Sequence, residues 1–153
     1  MRKFAQRLAV LVTSTAVVVG ISAAPAQAAT NPYTGPSACA NDFGGSWTVV
    51  TDGHRAIKKG TATIGDVYLT YNSATGENCV ATIKRIYVGT ETLVGANLFI
   101  YAVAGYWHDQ GNYKYYAAVK YKAAGRCVKY EGYVRSGSVD YWGIRDYYEN
   151  CGS

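Results

Sequence analysis

Beyond its first 28 residues, this 153-residue chain has no uninterrupted apolar run long enough to cross a bilayer, so no transmembrane segment is expected in the mature protein. Helical hydrophobic periodicity is missing as well, which turns attention to strands. Only four cysteines occur, Cys39, Cys79, Cys127 and Cys151, and none of them forms the C-x-x-C pairs that a zinc site would want. No serine stands in a G-x-S-x-G elbow, since Gly45-Ser46-Trp47 lacks the pattern. There is no phosphate-binding glycine loop. The ten carboxylates are scattered and single out no glycosidase pair. The expectation is a protein with no catalytic residues, no metal site and no cofactor.

The first 28 residues read as a secretory signal peptide. Arg2, Lys3 and Arg7 form a basic start, Leu8–Ile21 is an apolar run too short to span, and Ala26-Gln27-Ala28 is a small-x-small cleavage site. Cleavage is expected after Ala28, releasing a secreted, extracellular product. Three of the 15 basic residues leave with that segment, so 12 remain against ten acidic ones. A net charge near +2 gives weak electrostatic attraction to phosphate backbones, and no nucleic-acid partner is expected.

What remains is short enough for one domain with one core. We expect a mobile N-terminal lead over residues 29–38 and a single all-β domain over 39–153. An even number of cysteines in a small exported chain implies two disulfides. Of the three connectivities, Cys39–Cys79 with Cys127–Cys151 is favoured, because each bridge then fastens one terminal segment to one cysteine-bearing strand. The clearest local element is a hairpin from Val67 to Ile83 around the turn-forming stretch Asn72–Asn78. Val67, Leu69 and Tyr71 share a face on the first arm, and Cys79, Ala81 and Ile83 share one on the second, so one side can be buried. Other expected strands are Trp47–Thr51 before an Asp52-Gly53 turn, an apolar run Leu98–Trp107 before a turn at Asp109–Asn112, and an alternating strand Tyr113–Lys122. Short strands at regular spacing point to an all-β, disulfide-stapled antiparallel sandwich or barrel.

Tyrosine is the compositional outlier: all 15 lie beyond residue 28, accompanied by Trp47, Trp107 and Trp142. Tyr combines a large apolar ring with a polar tip, which suits both sheets and binding faces. Tyr113, Tyr115 and Tyr121 share the inward parity of their strand. Tyr116 and Lys120 fall on its other face, and Tyr141, Trp142, Arg145, Tyr147 and Tyr148 crowd the tail. These seven are the expected binding surface, for a spore or cell-wall component or for a secreted protein. His54, beside Asp52 and Arg55, and His108, beside Asp109 at an expected hairpin tip, could serve a small hydrolase. Exposed turn histidines are the plainer account, because neighbours in sequence are rarely catalytic partners.

Two blocks carry a family likeness: Tyr68-Leu69-Thr70-Tyr71-Asn72 with Thr75-Gly76-Glu77-Asn78-Cys79-Val80-Ala81-Thr82, and Tyr115-Tyr116-Ala117 with Ala123-Ala124-Gly125-Arg126-Cys127-Val128-Lys129-Tyr130. Through them, and a cysteine near the C-terminus, the chain resembles the spore-associated protein A family of filamentous actinobacteria. The resemblance implies a small secreted protein associated with the spore surface, and it carries over no catalytic residues. A non-enzymatic surface protein is therefore the first expectation, an inhibitor of an extracellular hydrolase the second, and a hydrolase using His54 or His108 the third.

Overall fold

In the computed structural model, which describes residues 29–152, one short helix precedes eight strands. They are α1 (Gly35–Phe43), β1 (Thr48–Lys59), β2 (Ala62–Asn72), β3 (Glu77–Lys84), β4 (Thr92–Ile100), β5 (Trp107–Tyr113), β6 (Tyr116–Lys122), β7 (Val128–Ser136) and β8 (Val139–Glu149). The signal peptide expected over residues 1–28 lies outside the described residues. Two four-stranded antiparallel sheets result, in the orders β1-β2-β3-β6 and β5-β4-β7-β8. The all-β class and the sandwich architecture match the expectation.

The chain passes between the sheets three times, after β3, after β5 and after β6. Their facing sides supply Val67, Leu69 and Val80 from the first sheet against Val94, Leu98, Ile100, Val128, Tyr130 and Val134 from the second. Both expected disulfides form, Cys39–Cys79 and Cys127–Cys151.

The β2–β3 hairpin forms around Asn72, whose Oδ1 accepts the Ala74 N–H at 3.0 Å. Its register sharpens the reading of its faces. Val67 pairs with Thr82 and Leu69 with Val80, while Cys79 pairs with Thr70 and Ala81 with Tyr68. The Val67 and Cys79 sets therefore lie on opposite faces, and both are buried apart from the half-buried Tyr71. What covers the Cys79 face is α1. Thr34 caps this helix, its Oγ accepting the Ser37 N–H while the Ser37 hydroxyl accepts the Thr34 N–H, and Pro36 fits the first turn. Ala38 and Cys39 are its buried side. The end of the expected lead is therefore helical, as the first part of a nine-residue helix.

Two further expectations are corrected. Asp52-Gly53 is no turn: β1 runs through it with a bulge between Val49 and His54, where Asp52 takes a φ of 53°. The Leu98–Trp107 run is also not one strand. It breaks at positive φ in Ala102 and Gly105 and returns as β5, so Asp109–Asn112 is strand rather than turn.

Candidate binding face

The outer side of the second sheet has no helix over it among the described residues; α1 packs on the first sheet. Alternation along β4, β7 and β8 sends Val94, Leu98, Val128 and Tyr130 inward and Phe99, Lys129, Tyr133 and Trp142 outward. Rings then meet across strands. Tyr133 and Trp142, directly paired on β7 and β8, have centroids 4.6 Å apart. Phe99 stacks on Tyr106 at 5.2 Å, and Tyr106 reaches His108 at the same separation. Lys129 lays its ammonium over Phe99 at 4.8 Å and over Tyr148 at 5.4 Å, and Tyr148 meets Tyr101 edge-on. Polar side chains hold this layer in place: Asn97 donates to Glu131, Arg135 forms a two-point pair with Asp140, and the Tyr133 hydroxyl donates to Gln110. The result is a broad aromatic surface with a polar lattice between its rings.

The seven expected surface residues do not all reach this face. Trp142, at 42% exposure, and Tyr148 do. Tyr141 lies under the Lys59 ammonium, packed against the core. Arg145 is a correction: it is 1% exposed. Its terminal nitrogens donate to Asn150 Oδ1 and the Val128 carbonyl, its plane lies 4.9 Å from the Tyr130 ring, and burial lowers its pKa. Inward parity on β8 put it there. Tyr147 sits at the β1 side of β8, its hydroxyl donating to Asp52, which Arg55 grips with two nitrogens. Those bonds hold the Asp52 carboxyl well below the usual carboxylate range.

Tyr116 and Lys120 lie on the first sheet instead, beneath α1. The Tyr116 hydroxyl donates to Asp42 at 2.6 Å, and Lys120 pairs with Glu77 while lying over Phe43. Tyr116 also lines a groove of about 440 Å³ with Tyr33, Tyr113, Asp42 and Asp109. The expected strand Tyr113–Lys122 is broken: Tyr113 ends β5 in the second sheet and Tyr121 lies on β6 in the first, both exposed, with Tyr121 stacking on Trp107 at 3.8 Å.

The histidines separate from their sequence neighbours. His108 points to the outer face while Asp109 turns the other way, accepting from the Tyr113 hydroxyl and the Ala118 N–H. His54 pairs with Asp66 on β2 at 2.7 Å rather than with Asp52, and its ring stacks on Tyr68. Asp66 also accepts the Arg85 Nε–H. Sequence reasoning missed this cluster; its only signal was the position of His54 and Asp66 on either side of the Gly60-Thr61 turn. No group of three or more His, Cys, Asp and Glu suited to a metal occurs among the described residues, and none of their helices is long and apolar enough to cross a membrane.

Over 90 residues the chain is 40% identical to spore-associated protein A of Streptomyces coelicolor. The family resemblance stands. The matched stretch covers 58% of this chain and 54% of the spore-associated protein, so the chain spans about half the length of the curated relative it matches. No protein-family model matches the chain. No solved structure matches it either.

Proposed function

We propose that this protein is a secreted, non-enzymatic surface protein that attaches to the polysaccharide of the spore or cell wall through the open aromatic face of its second sheet. The observation that carries this reading is the contrast in cover. Phe99, Tyr106, Trp142 and Tyr148 meet solvent on a broad face, although α1 is available and packs on the other sheet. Contiguous exposed apolar surface of this kind marks interaction sites. Flat rings fit the apolar faces of sugar rings, and the interleaved amides and carboxylates can take their hydroxyls. The name of the relative, a spore-associated protein, agrees with that place, and two disulfides suit a protein outside the cell.

Co-sedimentation of the purified mature chain with isolated spore walls and vegetative walls tests the proposal. Saturable retention is expected, falling about tenfold or more in Trp142→Ala, because this change removes a large exposed aromatic ring from the binding face. Unchanged retention in Trp142→Ala combined with Tyr148→Ala would overturn it. Absence of retention, with inhibition of a secreted amylase or protease instead, would move the reading to the inhibitor.

A further inference from the structure

We infer that the cleft between the N-terminal segment and β2 is a binding site for the oxyanion head group, carboxylate or phosphate, of a small ligand, with Arg85 as its anchor and Asp66 as the residue that positions Arg85. The cleft holds about 360 Å³. One wall is the segment Ala29–Thr34, tied down where the Asn31 amide donates to the carbonyls of Lys84 and Tyr115. The floor and the opposite wall are Asp66, Tyr68, Ile83 and Arg85. Strand geometry sets these residues. Asp66 and Tyr68 alternate onto the outer side of β2, and the Arg85 N–H bonds to the Ile64 carbonyl, extending the ladder by one residue beyond β3.

The exposures separate this cluster from a plain structural ion pair. The Asp66 side chain is 4% exposed, while His54 and Arg85, its two partners, are 46% and 55% exposed. A lock built for stability hides both heads; here the buried carboxylate holds two half-exposed donors in fixed orientation. Its oxygens are divided between them, Oδ1 to His54 Nε2 and Oδ2 to Arg85 Nε. Two other paired arginines are used differently. Arg55 and Arg135 each place two nitrogens on their carboxylates. Arg85, which lines the cleft, gives its carboxylate one, so neither terminal nitrogen is spent on Asp66. A guanidinium held at Nε presents the planar fork that binds carboxylate or phosphate at two points. The His54 ring, bonded to Asp66 and stacked on Tyr68, holds both of these cleft residues from the β1 side. This site shares no residue with the aromatic face and does not depend on the wall-binding proposal.

NMR titration of the full mature chain with inorganic phosphate and, separately, with acetate at low ionic strength tests the inference. Saturable shifts are expected at the Arg85 Nε–H and at the backbone amides of residues 30–34, with millimolar affinity. Arg85→Gln should weaken binding about tenfold or more, as loss of a two-point charged contact requires. Asp66→Asn discriminates positioning from bulk charge: it removes a negative charge, yet it should weaken binding because Arg85 loses its anchor. Saturation with phosphate alone assigns a phosphate head group, with acetate alone a carboxylate, and either supports the site. Shifts that never saturate, or equal binding by folded Arg85→Gln, would overturn it, as would tighter binding by Asp66→Asn.

Discussion

The outer side of the first sheet lies under α1 and the Cys39–Cys79 bridge, whereas the outer side of the second sheet meets solvent. The residues at the two surfaces explain the difference. Cys79, Ala81 and Ala118 are small and apolar, so a helix can approach closely and its Ala38 and Cys39 complete a second, minor core. Phe99, Tyr133 and Trp142 are large, and Lys129, Glu131 and Arg135 stand among them, leaving no seat for a helix. A nine-residue helix has little stability of its own. Its place depends on packing and on the disulfide. The open face depends on nothing laid over it, so changes there should alter binding while changes under α1 alter stability.

The largest expected effect tests that dependence. Replacing both Cys39 and Cys79 by Ala opens a loop with a sequence separation of 40. On the chain-entropy account this costs about 4 kcal/mol, read as a lower midpoint in chemical denaturation. Wall retention at low temperature should survive, because the second sheet keeps its own bridge. Equal loss of retention and stability would show that the two faces are not independent.

A smaller step is Gly35→Ala. Alanine ordinarily favours a helix over glycine, but a Cβ at this position would come within 2.5 Å of Tyr68 Cβ and Cγ. Overpacking should win and cost about 2 kcal/mol, again with little change in wall binding. A stabilised Gly35→Ala variant would mean that α1 sits less tightly on the sheet than described.

On the open face, Gly95→Ala is the matching experiment. Tyr133 lies flat over this glycine, and a Cβ would overlap its ring, so the ring must swing off Trp142 and release Gln110. The side chain can move toward solvent, and the expected cost is about 1 kcal/mol, with wall retention falling more than stability does. The opposite ranking would count against the aromatic face as the binding surface.

These contrasts also show what was legible beforehand. The β2–β3 hairpin could be read because its turn chemistry and its alternation agree, and the alternation of Tyr116–Lys122 survives in β6. The disulfide pairing could be read from the logic of fastening two ends. α1 could not, because its buried stripe is only Gly35, Ala38 and Cys39. Which of the residues Tyr141–Tyr148 reach the surface could not be read: alternation along β8 turns Trp142 out and Arg145 in, and only the pairing with β7 tells which. The His54–Asp66–Arg85 cluster was hidden by the bulge in β1, which changes the register on which any cross-strand count relies.

A separate effect belongs to the space between the sheets, which serves neither outer face. Lys84 is buried there at the end of β3, donating to the carbonyls of Thr90 at 2.7 Å and Tyr113 at 2.8 Å, with no carboxylate paired to it among the described residues. Burial brings its pKa down from 10.5 to about 8. Between those values the unfolded chain holds a proton that the folded chain has released, so stability should rise with pH across that window; below pH 8 the burial cost is present in full. Tyr130, pushed up to about 12, acts in the opposite sense above pH 10, which leaves pH 8 to 10 as the range to read. Denaturation midpoints of the intact chain should climb through it, while Lys84→Met should be less stable at pH 10, with two carbonyls unpartnered, and should lack the slope. Parallel curves for the two proteins would show that Lys84 keeps its proton in the fold, held by those same carbonyls.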